Sequence, residues 1–272
     1  MYNFSLVCGE SDILEILVAN KADPNTPDIH HAFPLHYAAQ MCGPNSEMGN
    51  ENRVGLSVLR KLISLGANVT VTDHEGRQPL MWAAGSGSSD AILSLTSAQA
   101  PVQATDKDGL TALHCAASRG NHDCVDTLVG LCNAEVDVPD HNGSTPLFYG
   151  VTLGHAETVS TLLRIGANPN KQDRKGRTPA HFGATKGQLE ALKILQANKA
   201  DLWLPNIRGD LTLHEAVHSG RKDLVRWLLS LQPSKVNEAN NDGKCLLHIA
   251  AVDNNVEMCK VQFFQQFLRV TY

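Results

Sequence analysis

Apolar positions along this chain fall in short bursts, interrupted by polar residues and glycine. One kind of burst is brief and rich in small residues, as at Ala83-Ala84 and Ala116-Ala117. The other places apolar residues at i, i+3 and i+4, as from Glu157 to Ile165 and from Asp223 to Leu231. Both predict short helices, and the small side chains of the first let a neighbouring helix approach closely. A glycine breaks the first helix in each cycle (Gly120, Gly154, Gly187, Gly220). A Gly-Ala-Asn ending closes the second, at Gly66-Ala67-Asn68 and Gly166-Ala167-Asn168.

The cycle has a fixed register. Thr111-Ala112-Leu113-His114, Thr145-Pro146-Leu147-Phe148, Thr178-Pro179-Ala180-His181 and Leu211-Thr212-Leu213-His214 align. So do Phe33-Pro34-Leu35-His36, Gln78-Pro79-Leu80-Met81 and Cys245-Leu246-Leu247-His248. The last position of these segments recurs at 36, 81, 114, 148, 181, 214 and 248, in steps of 45, 33, 34, 33, 33 and 34. So regular a period marks an internal repeat. Thr suits the N-cap, and Pro suits the first helical position, where its missing N–H would have no partner. Before each helix stands a turn signal, an Asp or Asn with Gly three residues on, as in Asp73-His74-Glu75-Gly76 and Asp140-His141-Asn142-Gly143.

A turn–helix–helix unit of 33 residues carrying Thr-Pro-Leu-His resembles the ankyrin repeat. The resemblance runs over about residues 5 to 262. It implies an all-α solenoid of stacked helix–turn–helix units with protruding β-turn or hairpin tips. The register divides the chain at 1–28 (a partial capping repeat), 29–73 (a repeat with an inserted loop at 41–55), 74–106, 107–140, 141–173, 174–206, 207–240 and 241–272 (a truncated or divergent last repeat). Two features depart from the pattern. Residues 94–103 lack the usual Gly-Ala-Asp ending, which suggests looser packing there. The apolar Phe263-to-Leu268 stretch stands where a polar cap is expected, which points to a fragment or isoform of a longer array. The wording of Gly76-to-Gly85 and of Thr145-Pro146-Leu147-Phe148 is similar to inversin-like arrays of ciliary and polarity scaffolds.

Composition narrows the function. A net charge of −5 argues against a general grip on nucleic acid. Seven cysteines with no Cys-x-x-Cys pair point to free thiols, neither a disulfide framework nor zinc. Met1 to Asp12 lacks the signature of a secretory signal, and no stretch is apolar enough to span a membrane. Phosphate-loop, zincin and nucleophile-elbow motifs are absent. The expectation is a protein with no catalytic residues, cofactor or metal, in the cytoplasm, with cilium and nucleus as further options, and monomeric.

The resemblance implies the rest. The repeated His36, His114, His181, His214 and His248 bond neighbouring turn backbone in that family. Partner contacts fall on turn tips and on the inner helix, and Asn25 and Asn170 stand where cytosolic hydroxylation occurs. The charge of the tips changes along the chain, negative in three turns and then positive around Asp173. Arg174, Lys175, Arg177, Lys186 and Arg208 form the candidate landing site for an acidic partner segment. His141, Asn142, Arg119, Tyr149 and Trp82 are further candidate contacts. The expected function is a protein–protein scaffold or adaptor. The alternatives are the cytosolic ankyrin region of a larger channel or enzyme, and an inversin-like signalling scaffold.

Overall fold

A computed structural model describes residues 11–44 and 52–253. Residues 1–10 of the partial first repeat, the middle of the inserted loop and the Phe263-to-Leu268 stretch lie outside the described residues.

Fourteen α-helices are described. The first-of-pair helices are α2 (Pro34–Met41), α4 (Pro79–Ser86), α6 (Ala112–Arg119), α8 (Pro146–Leu153), α10 (Pro179–Lys186), α12 (Thr212–His218) and α14 (Leu246–Val252). The second-of-pair helices are α1 (Ser11–Ala19), α3 (Asn52–Ser64), α5 (Ser89–Ser97), α7 (His122–Gly130), α9 (Ala156–Arg164), α11 (Leu189–Ala197) and α13 (Lys222–Leu231). A single 3₁₀ turn covers Pro233–Asn237. No β-strand occurs among the described residues; one isolated bridge joins Ala239 and Cys245.

Each first helix starts where the sequence places its signals. The residue before it is extended, at ψ 169° for Thr145 and 167° for Thr178, and Pro occupies the first turn of α2, α4, α8 and α10. The chain forms two compact units, Met1–His141 with Arg164–Gly166, and Asn142–Leu163 with Ala167–Tyr272. In the first unit α2 packs on α4 and α4 on α6, with α1, α3, α5 and α7 in a second layer. In the second unit α8 packs on α10, α10 on α12 and α12 on α14. Ala83, Ala84, Ala116, Ala117, Ala184 and Ala216 are fully buried between these helices. A side-chain carbon on Gly183 would collide with Leu192 and Val151, so the small residues set the spacing.

Two expectations change. Residues 94–103 are not loosely packed. Leu95 and Ala100 are buried, and Ala100 N–H donates to the Leu95 carbonyl at 3.0 Å, as Ala67 does to Leu62. Gln99 takes the left-handed conformation (φ 69°) that Gly66 takes elsewhere, so the cap forms at some backbone cost. The inserted loop is shorter than 41–55: Met41 closes α2, and α3 already starts at Asn52. Gly55 lies so close to the Met41 carbonyl that an added Cβ would stand 2.7 Å from it.

Two left-handed glycines separate strain from crowding. Gly66 (φ 88°) has open space where a Cβ would stand. Gly176 (φ 70°) has the Ile207 amide nitrogen 2.9 Å from that place. Gly66→Ala is expected to cost about 1–2 kcal/mol from backbone strain alone. Gly176→Ala should cost clearly more, because the next turn must shift. Urea unfolding of the two variants checks the order.

Candidate partner-binding surface

Six of the tips are each built around one side-chain oxygen. Asp73 Oδ1 accepts the N–H groups of Glu75 and Arg77, both at 2.9 Å. Asp28, Asp106, Asp173, Asn206 and Asn240 repeat the pattern with their own turns. Successive tips are joined by one backbone bond. Lys107 N–H donates to the Glu75 carbonyl in the first unit, and Ile207 N–H to the Lys175 carbonyl in the second.

The second carboxylate oxygen of the turn anchors the inner helix. Tyr37 OH donates to Asp28 Oδ2 at 2.6 Å, and Trp82 Nε1–H to Asp73 Oδ2 at 3.0 Å. Burial raises both carboxylates, but these and the backbone bonds outweigh it and hold Asp28 and Asp73 below the usual range. The bond to Asp28, with burial, pushes the Tyr37 phenol up to about 12. Trp82 is therefore half-buried with its N–H already engaged.

The repeated histidines tie neighbouring repeats. The N-cap N–H of Phe33, Thr178 and Leu211 donates to Nδ1 of His36, His181 and His214, at 3.0–3.1 Å. An N–H can only donate, so Nδ1 is the acceptor and Nε2 carries the proton. Nε2 then donates to the carbonyls of Arg77 (2.8 Å), Asp210 (3.0 Å) and Glu238 (3.2 Å). Thr111 N–H makes the same bond to His114 Nδ1. His248 shares the cap geometry, with Cys245 N–H at 3.3 Å, but it is exposed.

The ten candidate contacts divide between the units. Trp82, Arg119 and His141 belong to the first, and the last two are exposed. Asn142, Tyr149, Arg174, Lys175, Arg177, Lys186 and Arg208 belong to the second. Tyr149 is half-buried. Arg174, Lys175 and Lys186 are exposed. Arg177 is not free: its Nε lies 2.9 Å from buried Asp173, and its guanidinium lies 4.2 Å from the Phe182 ring centre. Arg208 is exposed but pairs with Asp210 at 3.2 Å. The positive patch read from the sequence thus contracts, because a turn carboxylate takes one of its arginines into the scaffold.

Asn25 and Asn170 also join successive repeats. Asn25 Oδ1 accepts from Asn68 N–H, and Asn170 Oδ1 from Asp201 N–H, both at 2.7 Å. The buried thiols are held protonated. Burial pushes Cys42 and Cys115 up to about 12 and Cys124 to about 11. No group of three or more metal-ligating side chains occurs among the described residues.

Sequence reading missed that Tyr37 and Trp82, which share one register position, clamp the turn. The signal was an aromatic residue recurring at that position, at Tyr37, Trp82, Tyr149 and Phe182.

Comparison with known proteins gives the family context. A family model described as ankyrin repeats, three copies, matches residues 48–140, 130–206 and 204–263. The potassium channel SKOR of Arabidopsis thaliana is 35% identical over 91 residues, 34% of this chain and 10% of that protein. Inversin from Canis lupus familiaris is 30% identical over 127 residues, 46% of this chain and 12% of that protein. Inversin from Mus musculus is 28% identical over the same length. The aligned stretches take in about a tenth of each relative.

Burial holds His36, His181 and His214 below the ordinary imidazole value of 6.5. The unfolded chain then takes up protons before the folded chain does. Stability should fall as pH drops through 6.5 and level off for these groups once their lowered values are passed. Urea midpoints between pH 7.5 and 5.5 check this, and His181→Gln should flatten the slope. At the tips, Asp173→Ala strands Arg177 and two backbone N–H groups and should cost about 3 kcal/mol. Arg174→Glu should stay within about 0.5 kcal/mol.

Proposed function

The chain belongs to the ankyrin-repeat family, whose repeats form protein–protein interaction domains, and on that premise we propose that it acts as a scaffold or adaptor. Its partner is an acidic protein segment that runs over the tips and inner helices of the second unit. The observation that supports this reading is the exposure of Arg174, Lys175 and Lys186, for which no ion pair occurs among the described residues. Positive charge held clear of the scaffold steers an acidic partner and sets its register. The scaffold works in the cytoplasm.

The likeness to stretches of a potassium channel and of inversin supports a second reading. In it, the repeats are the interaction region of a larger channel or signalling scaffold. No helix among the described residues is long and apolar enough to cross a membrane.

The test is capture of partners from lysate by wild type and by Arg174→Glu/Lys175→Glu/Lys186→Glu. Arg177 and Arg208 are left alone, since changing them would unbalance Asp173 and Asp210. Loss of a defined partner set in the triple variant, with an unchanged circular dichroism spectrum, is the expected result. Retention of the same partners would move the contact off this face.

A further inference from the structure

In the last repeats of the second unit the position that follows residues 36, 81, 114, 148, 181, 214 and 248 of the register changes character. Tyr37, Trp82, Cys115, Tyr149 and Phe182 hold it earlier, four of the five aromatic, whereas Glu215 and Ile249 hold it here. Glu215 and Ile249 line an open cavity of about 180 Å³, together with Arg208, Asp210, His214 and Val252 among others. An engineered cavity of roughly 150 Å³ takes up benzene, so this one has room for one large side-chain group.

The earlier repeats show what such a place accepts. Arg77 lies 5.5 Å from the Trp82 ring centre and pairs with Asp73; Arg177 lies over Phe182 and pairs with Asp173. In the turn Asn206-Ile207-Arg208-Gly209-Asp210 the order is reversed: an amide leads, and a carboxylate stands where those arginines stand. The scaffold supplies no arginine of its own at that position.

The charges point the same way. The lining carries four carboxylates against one arginine and one lysine. Arg208 pairs with Asp210 at 3.2 Å and Lys244 with Asp242 at 3.6 Å, and Asp253 is hydrogen-bonded to the His218 ring at 2.8 Å. That leaves Glu215, which accepts only a long bond from the Thr185 hydroxyl, 3.3 Å, among the described residues. Val252 is 76% exposed, an apolar wall for an aliphatic stem.

We propose that this cavity receives one arginine or lysine side chain of the partner segment, its stem against Ile249 and Val252 and its charged head on Glu215. The proposal rests on the reading that the partner lies along the tips of the second unit. It adds that the acidic segment is accompanied by a basic anchor.

The experiment selects random dodecapeptides, displayed on phage, against the full chain. The selected peptides are expected to share one Arg or Lys. Replacing it by citrulline or norleucine should weaken binding to wild type about tenfold, as loss of a charge-assisted bond does. Glu215→Gln should weaken the basic peptide by a similar factor and leave the citrulline peptide unaffected. Binders with no shared basic residue, or equal affinity for both peptides, would overturn the proposal. Binders lost in Arg174→Glu/Lys175→Glu but indifferent to Glu215→Gln would overturn it while sparing the acidic-segment reading. A failure to select any binder would count against both. Peptide-free dimerisation that Glu215→Gln abolishes, seen by sedimentation, would assign the cavity to a second copy and also overturn it.

Discussion

One oxygen atom per repeat, Oδ1 of the Asp or Asn that leads the turn, is the constraint on which the tips depend. It gathers two backbone N–H groups that a tight turn would otherwise leave unpaired. With that oxygen satisfied, the second carboxylate oxygen is free to hold the inner helix, through Tyr37 in one repeat and Trp82 in another. The same turn offers a carbonyl to the preceding repeat's histidine, as Arg77 does to His36 and Asp210 to His181. Turn, helix and neighbouring repeat are thereby locked through a few polar groups. This suits a chain whose helices are too short to be stable alone.

The locking decides which charges a partner meets. An arginine four residues after the leading Asp is drawn into the scaffold, as Arg77 and Arg177 are. A basic residue at the crest of the turn stays outside, as Arg174 and Lys175 do. Positive residues that look alike in sequence therefore serve different purposes. Around Asn206 to Asp210 and Glu215, where neither that arginine nor a ring is present, the scaffold leaves a cavity.

The fold was legible because its period is imposed by geometry. Helix starts at Pro34, Pro79, Pro146 and Pro179 follow from proline chemistry, and the buried Ala83-Ala84 and Ala116-Ala117 pairs follow from the need for close approach. The cap at Gln99 was not legible, because a left-handed glutamine carries no sequence signal. The candidate site was half legible. Exposure of Arg174 and Lys175 could be read from their place at the crest. The engagement of Arg177 and Trp82 could not, because it depends on the second oxygen of an Asp whose orientation only the folded turn fixes.

The central claim is that the tips and inner helices of the second unit carry the partner. Hydrogen–deuterium exchange of the chain, alone and with a captured partner, tests it most directly. Protection at the Arg174–Arg177 and Ile207–Asp210 turns and along α10 and α12 is the predicted result. Protection confined to α9, α11 and α13, with the turns unchanged, would contradict the account.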